Sequence, residues 1–236
     1  VRGYLAYELT GSAKVLSVIV AIQIVPVLGL ALLGGALADR MDRRRLMQIC
    51  LLVTMVATLF VAVSISTNTV SWYHLLAAAA VHGSVWAFLS PARQGLISEL
   101  VGREGLSNAI ALTGTGLSTV ALLAPALGGL LYAVMGPEGV SYLSAALVLA
   151  GVGLVSLITV SENARPRRRS NLMTEIRSGL SYVWGNSLVL VLLSVVFVTM
   201  ILLHPFVFLL PVLVTEVFVR ESEAYGLLLS MLGLGS

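Results

Sequence analysis

His82 stands midway along residues 72–91, a run without Asp, Glu, Lys or Arg. An imidazole with an ordinary pKa near 6.5 exchanges a proton at neutral pH, so His82 is a candidate proton relay. A competing reading makes it a neutral imidazole hydrogen-bonded to a neighbouring helix. Trp86, one helical turn on, offers a flat face for stacking an aromatic compound, or a ring turned to lipid. Gln23, Thr113 and Ser118 place neutral hydrogen-bonding groups in otherwise apolar runs. Such groups suit the wall of a cavity for a small-molecule substrate, or they join helices at about 0.6 kcal/mol each. Residues 39–45 are different in kind, six charges among seven residues. The lone Cys50 excludes an internal disulfide and reads as an inert membrane thiol. No phosphate-cradling loop, G-x-S-x-G, H-E-x-x-H or paired cysteine motif occurs. No enzyme activity, no metal site and no cofactor is therefore expected.

The elements that position these residues follow from composition. The chain is 58% hydrophobic and 11% charged, with mean hydropathy +1.00. A soluble domain carries roughly 25% charged residues, so most of the apolar surface must face lipid. Crossing the hydrocarbon core takes about 20 apolar residues in a helix that satisfies its own backbone. Six stretches qualify: 15–38, 46–66, 72–91, 106–135, 140–160 and 187–213, with another starting near Ala224. Pro125, Pro205 and Pro211 are expected to bend the longer ones. Residues 1–9 read as the tail of an earlier span, and the whole as an internal piece of a longer protein.

Charge gives the direction. Of the 14 Lys and Arg, Arg2, Lys14 and Arg220 fall on one side of the alternating spans. Arg40, Arg43, Arg44, Arg45, Arg93, Arg103, Arg165, Arg167, Arg168, Arg169 and Arg177 all fall on the other. The positive-inside rule makes that second side cytoplasmic. Basic residues spread between apolar spans do not form a nucleic-acid surface, so no nucleic acid is expected as a partner. The longest connection, 161–185, carries RPRRR, which suits the anionic inner leaflet. Leu172, Ile176, Leu180 and Val183 then recur at helical spacing, the pattern of an interfacial helix. The expected organisation is a first half-bundle over 1–160, a linker over 161–185 and the start of a second half over 186–236.

At the charged turn, Gly34 and Gly35 end a membrane helix where small residues allow close approach. Asp39 follows at the negative end of that helix's dipole, unfavourable for a carboxylate without a compensating partner. It is either held by another helix or simply solvated. Gly35-Ala36-Leu37-Ala38-Asp39-Arg40-Met41-Asp42-Arg43-Arg44 resembles the G-x-L-a-D-r-x-G-r-r signature of the major facilitator superfamily, between its second and third helices. The resemblance implies a cytoplasmic gate in which Asp39 docks on a helix of the opposite half and latches the outward-facing state. Asp42 stands where the signature has Gly.

Further stretches extend the likeness. Ser90-Pro91-Ala92-Arg93-Gln94, Ile97-Ser98-Glu99-Leu100-Val101 and Asn108-Ala109-Ile110-Ala111-Leu112 are similar to the loop between the fourth and fifth helices of an efflux branch that includes enterobactin and macrolide exporters. Over 114–129, Gly114, Ser118, Ala121, Pro125 and Gly128 share one small-residue face, which on its own is ordinary membrane packing. Ala124-Pro125-Ala126-Leu127-Gly128-Gly129 is also similar to the G-P-x-x-G-G antiporter signature, with Ala124 for its first Gly. Where relatives carry an Arg in R-x-x-q-G on the fourth helix, this chain has Ala79, so proton coupling through that Arg does not carry over.

The expected fold is all-α, a polytopic membrane protein with part of a twelve-helix major facilitator fold. The expected function is secondary export of a small amphipathic compound, a drug, siderophore or similar metabolite, by alternating access with proton antiport. Two alternatives stand: a lysophospholipid-type translocator on the same fold, or a membrane sensor or scaffold without transport. A monomer, in contact with membrane lipids and sited in the inner membrane, is expected.

Overall fold

The computed structural model describes residues 2–159, 172–196, 198 and 199. Within them lie helices α1 (Arg2–Thr10), α2 (Ala13–Ala38), α3 (Arg43–Ser66), α4 (Trp72–Leu157), α5 (Leu172–Gly185) and α6 (Ser187–Val196). There is no strand among the described residues. The expected all-α polytopic architecture is what the chain adopts. The RPRRR run, His204, Pro205, Pro211 and the stretch from Ala224 lie outside the described residues, as does most of 187–213.

α4 is three spans in one trace. Its backbone leaves the helix at Gly102 (φ 63°, ψ −170°) and Gly136 (φ 68°, ψ 179°), in the left-handed region that glycine enters freely. The legs are 72–101, 103–135 and 137–157. Long-range contacts show that each leg reverses the last. Tyr132 donates to Glu8, and Tyr142 pairs with Ser66 at 3.1 Å, so 132 and 142 lie at the end where α1 and α3 finish. Gly95, Glu99 and Ser156 meet Arg43 and Arg44, so they lie at the opposite, Arg-rich end. Pro137 is the first residue after the second break, where its missing N–H costs nothing.

The expected span 72–91 is too short. Helix continues through Pro91 to Gly102, because Ala92 and Leu96 still have apolar neighbours to bury against. The spans expected at 106–135 and 140–160 correspond to the second and third legs. Pro125 sits in the second leg without a break in helical dihedrals.

Two apolar clusters hold the bundle. Near one end Leu5, Ala6, Leu16, Ile19, Val61 and Leu75 come together from α1, α2, α3 and α4. Near the Arg-rich end Ala38, Leu46, Cys50, Val85 and Ala92 come together from α2, α3 and α4. The outer surface is apolar as well: Leu112, Val134 and Leu157 are 73%, 75% and 77% exposed. In water such a surface would be untenable; in lipid it costs nothing. Hydroxyls on these helices bond their own preceding turn, as Thr58 does to Thr54 and Ser144 to Val140.

Glycines set the spacing of α2 against the first leg of α4. A methyl on Gly83 would overlap the Gln23 carbonyl, and one on Gly34 would overlap the Ala87 carbonyl. Both obstacles are backbone, which cannot swing aside. Gly83→Ala is therefore expected to destabilise the bundle by about 1–3 kcal/mol, read as a lowered Tm of the purified protein in detergent. An unchanged Tm would show that the two helices have room to part.

Candidate functional site

α2 ends at Ala38, buried at 3% exposure, and Asp39 caps it with its N–H on the Gly35 carbonyl at 3.1 Å. Three residues later Asp42 starts α3: its Oδ1 accepts the Arg45 N–H at 3.0 Å. This is an N-cap, satisfying a donor that the first turn of a helix leaves unpaired. Asp42 has φ −59°, so the position needs no glycine. Where the signature that this turn resembles has Gly, the chain thus carries a capping residue.

Arg43 is the hub. Its Nη1 donates to the Gly95 carbonyl at 3.0 Å and lies 3.6 Å from Glu99 Oε2. Its Nε donates to the Ala38 carbonyl at 3.4 Å and its Nη2 to Asp39 Oδ1 at 3.3 Å. One guanidinium thus caps the end of α2 and ties α3 to the first leg of α4. The two ion pairs differ in worth. The side chains of Arg43 and Glu99 are 26% and 22% exposed, whereas that of Asp39 is 72% exposed. A pair with so open a partner contributes about 0–1 kcal/mol; the Glu99 pair is better shielded from water and salt. Gly95 makes the arrangement possible, since an added methyl would stand 2.5 Å from Arg43 Nε and 2.8 Å from Cζ.

Arg44 turns the other way. Its Nη2 donates to the Ser156 carbonyl, one residue before the third leg ends, and Gln48 Nε2 donates to Ser156 Oγ at 2.9 Å. A carbonyl in the last turn has no partner within its own helix, and here the next helix supplies one. Arg40 lies exposed at the rim, and Leu37 packs against the apolar cluster beneath.

Of the residues expected to form the gate, Asp39, Arg43 and Leu37 are brought together. The close glycine is Gly34; a methyl on Gly35 meets nothing within 4 Å. Gly95, Glu99, Gln48 and Ser156 were not among the expected gate residues. Glu99 is the acidic residue between Arg93 and Arg103, a sequence signal, but its pairing with Arg43 spans 56 positions and no local spacing reveals it.

The antiporter-like residues lie on the second leg, with Gly129 buried, Pro125 and Gly128 partly buried and Ala124 exposed. The small-residue face expected to admit a close helix is open at its start: Gly114 has nothing within 4 Å of an added methyl, and Ser118 is exposed. His82 Nδ1 is 2.9 Å from the Ala78 carbonyl, so part of its hydrogen bonding is met within its own helix. Thr113 likewise donates to Ala109 at 2.7 Å, and Gln23 is exposed. Trp86 is 51% exposed, with the Arg93 guanidinium carbon 5.9 Å from its ring centroid. Among the described residues no group of three His, Cys, Asp or Glu comes together to hold a metal ion.

No curated protein matches the chain significantly. A family model described as a transmembrane secretion effector, within the major facilitator superfamily, matches residues 2–236. The transverse ties at the Arg-rich turn, the membrane-length apolar helices among the described residues and this nearly complete match agree. The chain belongs to the transmembrane secretion effector family of major facilitator transporters.

Proposed function

We propose that this transporter works as an exporter of small amphipathic compounds, such as drugs or siderophores, driven by proton antiport through alternating access. The Arg-rich turn faces the cytoplasm of a cell whose inner membrane the protein crosses as a monomer, as the positive-inside asymmetry favours. The observation that carries the mechanism is the Arg43 hub, which joins α2, α3 and the first leg of α4 at one end. Helices tied there move as one body, which is what alternating access asks of each half. Asp39 lies at the rim of this unit with its carboxylate largely open. On this reading it engages an opposing helix when the cytoplasmic side closes.

The test is efflux of a dye and siderophore panel by the full-length protein in proteoliposomes, with and without an imposed proton gradient. Gradient-dependent efflux is expected. Asp39→Asn is expected to fold normally and lower the rate, since only the engagement across the closed side is lost. Efflux indifferent to the gradient would remove the antiport claim, and full activity of Asp39→Asn would remove the latch.

A lipid translocator is the second reading, and one observation favours it. Leu52, Val56, Phe60, Ala77, Ala78 and Val81 line an apolar groove of about 510 Å³ between α3 and the first leg of α4. Such a groove accepts an acyl chain. Movement of a fluorescent lysophospholipid between leaflets, without dye efflux, would decide for it.

A further inference from the structure

His82, Trp86 and Arg93 stand at i, i+4 and i+11 on the first leg of α4. At 3.6 residues per turn they fall within about 40° of one another around the helix. Leu75 and Leu89 on this side pack into the apolar clusters, which leaves Trp86 as the large side chain standing out of them. Val85 and Ala92 are buried with Ala38, Leu46 and Cys50, and Gly83 and Ala87 meet the backbone of α2. Neither apolar cluster includes His82, Trp86 or Arg93. Arg93 comes two residues before Gly95, which puts this face just inside the Arg43 hub.

The chemistry of the face is that of a receptor. Trp86 is half-exposed and carries the Arg93 guanidinium over its ring. Among the described residues Arg93 forms no ion pair, and its Nε is shut off from solvent without a hydrogen-bond partner. A buried charged donor left unpaired is unfavourable, and an incoming acceptor relieves it. A guanidinium takes a planar oxyanion through two parallel hydrogen bonds, and an indole takes an aromatic ring in offset or edge contact.

We propose that this face is a substrate subsite for aromatic anions, compounds with a carboxylate or sulfonate on a flat ring. The ring rests against Trp86 and the anionic group occupies the Arg93 fork, with His82 at the inner border. The inference rests on the exporter reading and narrows its substrate from amphipathic compounds to aromatic anions.

The test uses the full-length protein with every tryptophan except Trp86 replaced by Phe, so that emission reports the subsite alone. 2-Naphthoate is expected to quench it saturably, while 2-naphthylmethylamine, the cation of similar shape, is not. Arg93→Gln is expected to weaken naphthoate binding by about tenfold or more, and Arg93→Lys by less, because a point charge keeps attraction but loses the fork. Equal binding of the amine, or naphthoate affinity within twofold of the parent in a monodisperse Arg93→Gln protein, would overturn the proposal. If Arg93→Gln does not fold, unchanged affinity in Arg93→Lys overturns it equally. Failure of the exporter reading looks different: naphthoate binds with the expected Arg93 dependence but is not carried across proteoliposomes. Dye efflux with no quenching by naphthoate instead removes the subsite and leaves the exporter.

Discussion

Arg43→Gln is expected to abolish most gradient-driven efflux while the protein still inserts. The substitution removes the charge facing Glu99 Oε2 at 3.6 Å and three hydrogen bonds, to Gly95, Ala38 and Asp39. Glu99, only 22% exposed, is left without its cation. Losing a charged partner for a shielded carboxylate costs about 1.5–3 kcal/mol, and the Ala38 carbonyl at the end of α2 loses its cap as well. Arg43→Lys is expected to recover only part, because one ammonium cannot reach carbonyls and carboxylate from a planar fork. The measurement is initial efflux rate per reconstituted molecule, with Tm taken in parallel. Wild-type rate and Tm in Arg43→Gln would show that the hub is ornament on a bundle held elsewhere.

Gly95→Val should match that loss from the other side of the contact. A branched side chain at Gly95 would claim the space of Arg43 Nε, Cζ and Cδ, all within 2.9 Å of an added methyl. Overpacking costs about 1–3 kcal/mol, and the displaced guanidinium forfeits its bonds in addition. The informative measurement is the double variant. If Gly95 matters because it admits Arg43, Arg43→Gln and Gly95→Val together should cost clearly less than the sum of the two, since each removes the same contact. Strict additivity would mean that glycine serves the helix backbone and not the arginine.

The membrane spans were legible because lipid imposes one length and one composition on anything that crosses it. Their starts near Ala13, Arg43 and Trp72 follow from Lys14, the charged turn and the polar run at 67–71. The extension of helix from Pro91 to Gly102 was not legible. Arg93, Gln94 and Glu99 look like loop residues, and only the neighbouring helices reveal that Ala92 and Leu96 have something to bury against. The charged turn was recognisable, yet its internal division of labour was not. Sequence pattern named Asp39 and Arg43, and Gly34 and Gly35, without ranking them, whereas geometry gives the larger burdens to Arg43 and Gly34. Asp42 could have been read as an N-cap from its place before Arg43-Arg44-Arg45 and the apolar run. Glu99 and Ser156 reach the turn only through tertiary folding, across 56 and 112 positions.

The joints between these helices are short: Gly11 and Ser12, residues 39–42, residues 67–71, and then single glycines at 102 and 136. A link of one residue has no slack. The three legs of α4 joined at Gly102 and Gly136 therefore cannot slide lengthwise past one another without breaking helix at the joint. On the alternating-access reading proposed above, these three legs turn together, as a panel whose planks are nailed edge to edge.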